Sequence, residues 1–278
     1  MKKKMRYVLL PYLILGIVPV FISVFIDPSF AFFPYAIKGE GLWAKYALPA
    51  LKYYATGGFM SAYWYIPFIM IMFALSPLFV AFSKRRARTG LWIVFALMIV
   101  SIVIQRPTLS LSPFQSVVYF MPVYLGGMLC SMYKEKLYAL GARGELLFSL
   151  SGLFYILLQA GAGKIAIYNK SPFVWDGIDF MFFQKASFAL FFLIFLKRFE
   201  KVKNGVIDTL ARTSFAIFFL HPILIKMLYV NSSWLFSAEG KSWTLYVFYI
   251  LFITFTCMAA ALALKLLLPK YSRQITGY

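Results

Sequence analysis

Residues 243–268 read WTLYVFYILFITFTCMAAALALKLLL, with a single charge at Lys265. A helix rises 1.5 Å per residue, so about 20 apolar residues cross the roughly 30 Å hydrocarbon core of a bilayer. Apolar and polar positions do not alternate in this run, so it does not fit the ten-residue strand of a membrane barrel. Seven more such runs precede it: about Tyr7–Ile26, Ala62–Phe82, Gly90–Gln105, Phe114–Tyr133, Glu145–Gly163, Ile178–Leu196 and Ile207–Val230. Lipid offers the backbone no partner, and a helix satisfies its own N–H and C=O groups. The sequence predicts an all-α, polytopic transmembrane helical bundle of about eight spans, one integral-membrane domain over residues 1–278.

Composition agrees. Apolar residues make up 62% and charged ones 13% of 278, and the mean hydropathy is +0.80. One soluble core cannot hide that much apolar surface, and disordered chains are poor in such residues. The net charge of +19 sits in short clusters between the apolar runs. That distribution is what the positive-inside rule produces, and it argues against nucleic acid as a partner. With the N-terminus inside, inner segments hold 19 Lys and Arg and outer ones 8, leaving Lys185 uncounted within a span. A multi-pass protein of the cell membrane with both termini cytoplasmic follows as the expectation. The first apolar run exceeds a signal-peptide core, so it reads as an uncleaved anchor.

Between the spans the longest segment, about Asp27–Ser61, is rich in aromatic residues. It reads either as an interfacial belt or as a lid or acceptor platform. Gly126, Gly127 and Ser131 put small residues four apart, which predicts a close helix contact. Cys130 and Cys257 lie in apolar runs and read as packing residues; no metal-ligand spacing accompanies them.

Ionisable groups inside spans are costly, so each is a functional candidate. His221, the single histidine, falls in the outer half of span seven and precedes Pro222. Ser214 is seven residues earlier, on the same helix face. Counted along their spans, Gln159, Lys185 and His221 fall at one depth, a polar layer suited to a hydroxyl-bearing acceptor. His221 reads either as a structural hydrogen-bonding residue or as a participant in substrate binding or proton transfer. Lys185 can instead snorkel to the headgroups. Asp208 and Arg212, four apart with the acid first, read as a helix ion pair, or Arg212 as a phosphate ligand.

Several stretches resemble acyltransferase family 3 of the membrane O-acyltransferases. Lys3 through Tyr12 is similar to that family's basic segment leading into its third helix. Gly58 through Pro67, continuing to Leu78, resembles its fourth. Ser214 through Pro222 resembles a late helix, with Phe219 where Tyr is common. The resemblance implies transfer of an acyl group, acetyl in the first instance, from cytoplasmic acyl-CoA (acetyl-CoA) to a hydroxyl of a cell-envelope glycan or lipid-linked sugar, with no bound cofactor. It implies that Lys3 and Arg6, at the family's Arg-x-x-Arg motif, bind donor phosphates, with Lys replacing the first Arg. Arg212 is a further donor candidate. His221 would orient the acceptor or support proton transfer. The family has ten core helices and a histidine on its first. This chain begins at what corresponds to the third, and no histidine precedes His221, so little activity is expected of these residues alone. A flippase or exporter of a lipid-linked glycan, or a non-catalytic membrane subunit, is the rival reading.

Overall fold

A computed structural model describes residues 2–35, 39–164, 168–231 and 243–277. Twelve α-helices follow in order: α1 Lys2–Phe21, α2 Leu48–Thr56, α3 Tyr65–Ala74, α4 Ser76–Ser83, α5 Ala87–Ile104, α6 Pro113–Met132, α7 Lys134–Tyr138, α8 Gly141–Gly161, α9 Phe180–Leu196, α10 Gly205–Asn231, α11 Trp243–Leu267 and α12 Ser272–Ile275. No strand occurs among the described residues. Among the described residues seven helices are long and apolar enough to cross a membrane, with α1 extended by a π-helical turn to Ile26. The pair α3 and α4 makes an eighth span if counted as one, bent by 58° at its break. The sequence expectation of about eight spans holds, with span two broken at Leu75. Pro77 stands at the start of α4. It has no N–H to continue the preceding helix, whereas a first turn tolerates it.

Local chemistry sets the helix ends. Asp179 caps α9 by accepting from Phe182 N at 2.9 Å, and Ser112 caps α6 by accepting from Gln115 N at 3.3 Å. The Asn204 side chain receives Val206 N and Ile207 N at the start of α10. Each bond satisfies an N–H that the first turn leaves open.

The chain forms two compact units, residues 1–70 with 203–278, and residues 71–202. In the first, the core is aromatic: Tyr12, Tyr53, Phe59, Tyr63 and Phe219 are all buried. The Asp27–Ser61 segment supplies much of this core and is no simple surface belt. Tyr53 and Phe59 are buried, while Phe32 and Trp43 remain exposed. Tyrosine can be buried here because its hydroxyl finds a partner. Tyr12 Oη donates to Tyr54 O at 2.7 Å. Tyr35 N donates to Tyr53 Oη, and Tyr35 and Thr56 share a hydroxyl bond of 2.7 Å. Burial pushes the Tyr35, Tyr53 and Tyr54 phenols above their ordinary range, so they stay neutral.

In the second unit, α8 and α9 form a hairpin pinned by Ser151–Ser187 at 3.0 Å and by Tyr155 stacked on Phe183. The pair α5 and α6 is joined by Ser101 Oγ donating to Val118 O at 3.0 Å. The expected close contact at Gly126 and Gly127 is absent. A methyl at Gly126 would only just reach Val94, at 3.9 Å, and at Gly127 it would meet nothing within 4 Å. Between α5 and α6 the tight approach is at Gly90, where Leu129 lies 2.9 Å from such a methyl.

Candidate functional site

In the first unit, the three stretches that resemble acyltransferase family 3 converge. Tyr12, from the first, lies 5.4 Å from Phe59 and 5.9 Å from Tyr63, both in the second, between ring centroids. Tyr63 meets Phe219, from the third, edge to face at 5.7 Å, and Tyr65 meets Phe218 at 5.5 Å. Such offset and T-shaped pairs add to what burial alone gives.

The junction lies at a proline in α10. Pro222 lies inside α10 and has no N–H to offer the Phe218 carbonyl. The next carbonyl, of Phe219, accepts the Tyr63 hydroxyl at 2.7 Å, in a buried bond. Tyr63→Phe removes this donor, while the Ile223 N–H one turn on in α10 remains for the Phe219 carbonyl. A loss of about 0.5–1.5 kcal/mol in stability is expected, read as a lower unfolding midpoint in detergent with unchanged membrane insertion. An unchanged midpoint would show that the Tyr63 bond adds nothing to the fold.

His221 follows two residues after Phe219. It is half-buried, and its Nδ1 lies 2.9 Å from the Ile217 carbonyl, one turn back on α10. A carbonyl can only accept, so the neutral ring carries its proton on Nδ1, and Nε2 is the basic nitrogen. The ring lies 6.2 Å from Phe218. Ser214 is exposed and donates to Ala211 O at 2.8 Å.

Arg6 is exposed at the start of α1. Lys3 is on the first turn of the same helix, and its side chain lies outside the described part. Arg212 donates from Nε to the Asp208 backbone oxygen at 3.3 Å, not to the carboxylate expected from the i, i+4 spacing, and both side chains are exposed.

Gln159 and Lys185 belong to the second unit, His221 to the first. Along their own helices, Gln159, Lys185 and His221 stand about 3, 8 and 15 Å from the nearer end. Gln159 is buried and donates to Gln184 Oε1 at 2.6 Å. Lys185 is exposed, within electrostatic reach of Asp179 and Arg106.

That neighbourhood holds a polar network that sequence reasoning missed. Gln115 Nε2 donates to Lys170 O at 2.9 Å and to Gln105 O at 3.2 Å, and Gln105 Nε2 donates to Gly177 O at 2.9 Å. Tyr119 Oη donates to the buried Asp179 carboxylate at 2.8 Å. Desolvation pushes the Asp179 carboxyl up, against the bonds from Tyr119 and Phe182 that pull it down. An Asp directly before an apolar run is a capping signal, and that signal was present at Asp179.

These observations define a multi-pass helical membrane protein whose motif segments close on one aromatic core beside a histidine. A family profile described as an acyltransferase domain matches residues 1–262, and the chain belongs to that family, acyltransferase family 3, among the membrane O-acyltransferases. No curated protein and no solved structure matches it.

Proposed function

We propose that the chain carries the membrane part of an O-acyltransferase that moves an acyl group, acetyl in the first instance, from cytoplasmic acyl-CoA to a hydroxyl of a cell-envelope glycan or lipid-linked sugar. The observation that supports this most is the meeting of the three family-like segments around Tyr63 and Phe219, two residues from His221. In the transfer, the acceptor oxygen attacks the thioester carbonyl, a C–O bond forms and the C–S bond breaks. CoA leaves as thiolate or thiol, and the hydroxyl proton needs a base. Nε2 of His221 has the lone pair for that role when Nδ1 is held by Ile217. Lys3, Arg6 and Arg212 are proposed for the donor phosphates, by charge-assisted hydrogen bonds. Ser214 is proposed for the acceptor, as are Gln159 and Lys185 in the other unit on their chemistry alone.

The test is acyl-CoA-dependent labelling of glycan in membranes from a host carrying the native locus, against a host with it deleted. Label that moves across the membrane unmodified would overturn transfer in favour of transport.

Orientation belongs to the same proposal, with donor and both termini on the cytoplasmic side. Reporter fusions at Lys136 and Lys203 are expected to read inside, and one at Ser171 outside. The reverse pattern at these sites would place the basic donor residues on the wrong face.

A further inference from the structure

The family profile stops at residue 262, yet the chain after α11 is ordered onto the first unit. Ser272 N and Tyr271 N donate to Leu268 O, and Thr276 N donates to Ser272 O at 2.9 Å. Ser272 and Thr276 are buried at 2% exposure each, although both are polar and close to the end of the described chain. Helix α12 packs on α1, and a methyl on Gly277 would meet the Phe215 ring of α10 at 2.3 Å. The segment is therefore held from two sides.

This packing fixes Arg273. Its guanidinium carbon lies 4.1 Å from the centre of the Tyr7 ring, while the residue as a whole stays exposed. That distance puts the cation over the ring, and the guanidinium carries five N–H donors in one plane. Among the described residues no carboxylate forms an ion pair with it. Tyr7 is the residue after Arg6, and Lys3 precedes it by four in the sequence of α1. The first turn of α1 holds no acid, and Lys265 closes the last turn of α11. An arginine held over a ring, without a carboxylate partner among the described residues and in a positive field, is built to hold a multiply charged phosphate group.

We propose that Arg273 is a donor-binding residue: the segment after the last span completes the mouth at Arg6 and grips the phosphates of a CoA-type nucleotide. This rests on the donor reading given above. Tyr7 is its positioning residue, because the ring sets where the guanidinium points.

The experiment uses the full chain in phosphatidylcholine nanodiscs and measures binding of CoA and of inorganic pyrophosphate. Arg273→Ala is expected to weaken CoA about tenfold or more, as loss of a charge-assisted phosphate contact does. Arg273→Lys is expected to recover only part, since an ammonium lacks the fork. Tyr7→Leu, which keeps every charge, is expected to weaken CoA about threefold by freeing the arginine. A latch that only holds the fold would lower the unfolding midpoint in these variants and leave CoA affinity within twofold. With wild-type binding intact, that result overturns the inference and spares the donor reading. If the wild type binds pyrophosphate through Arg273 but not CoA, the anion site stands and the donor reading falls. Binding of neither ligand overturns both. Repeating the measurement with phosphatidylglycerol in the nanodisc separates the two sources of phosphate. Abolition of CoA binding by that lipid would assign Arg273 to headgroups and overturn its role toward the donor.

Discussion

Gly57→Ala is expected to be the most damaging single substitution in the first unit, lowering the unfolding midpoint by about 10 °C or preventing accumulation of the protein. Gly57 ends α2 with φ +73° and ψ +13°, and its N–H bonds Tyr53 O at 2.8 Å. That left-handed conformation alone costs a residue with a Cβ about 1–2 kcal/mol. The steric cost is greater. A Cβ would stand 2.4 Å from the nitrogen of Trp64 and from the carbonyl carbon and oxygen of Tyr63. These are backbone atoms, and they cannot swing aside as a side-chain tip can. Relief requires moving the turn that delivers Phe59 and Tyr63 into the aromatic core. The sum is on the order of 3–5 kcal/mol, the range of the most destabilising point substitutions. Gly141→Ala is the control, since it has φ +51° but nothing within 4 Å of the added methyl. It carries the conformational cost without the clash. If Gly57→Ala were no worse than Gly141→Ala in a thermal melt, the steric account would fail.

How much of this was readable beforehand depended on the length scale of each signal. The span at Trp243–Leu267 is a one-dimensional property: twenty-odd apolar residues in lipid have few alternatives to a helix. The break at Leu75 had a local cue in Ser76-Pro77, but an apolar run masks a bend, because hydropathy does not change across it. The aromatic loop from Asp27 to Ser61 was harder. Whether a tyrosine lies at a headgroup or in a core depends on a partner elsewhere in the chain. Tyr63 finds its acceptor at Phe219, 156 residues away in sequence. No periodicity encodes that. The Gln105–Gln115–Lys170 network shares the difficulty, because its acceptors are backbone carbonyls on loops. His221 was conspicuous as a lone titratable group in a span. Its Nδ1 partner, Ile217 O, is one turn back, a spacing visible in the sequence once the position is known to be helical. What stayed hidden was Arg273, since a charged tail after a last span reads as solvated until something holds it.

His221→Ala, introduced at the native locus, is expected to reduce the acyl content of the host's glycan to background while leaving the protein in the membrane. The expected loss in rate is about 10²–10⁴-fold, the usual worth of a positioned general base. Geometry says which replacement separates chemistry from packing. Nδ1 serves Ile217 and Nε2 is the basic atom, so a residue that keeps the bond to the carbonyl but has no basic nitrogen should be structurally silent and still inactive. Asparagine comes nearest: its amide N–H can reach a carbonyl one turn back, and it cannot take up a proton near neutral pH. His221→Asn should therefore unfold within a few degrees of wild type, and His221→Ala only slightly lower, because the ring is half-buried and its one described bond is to its own helix. Both should be inactive. The rival account makes His221 a structural residue. It predicts a different pattern, with Asn active because the bond to Ile217 survives, and Ala impaired in proportion to its lost stability. Glycan acylation in the Asn variant decides between them, since one account requires its loss and the other its retention.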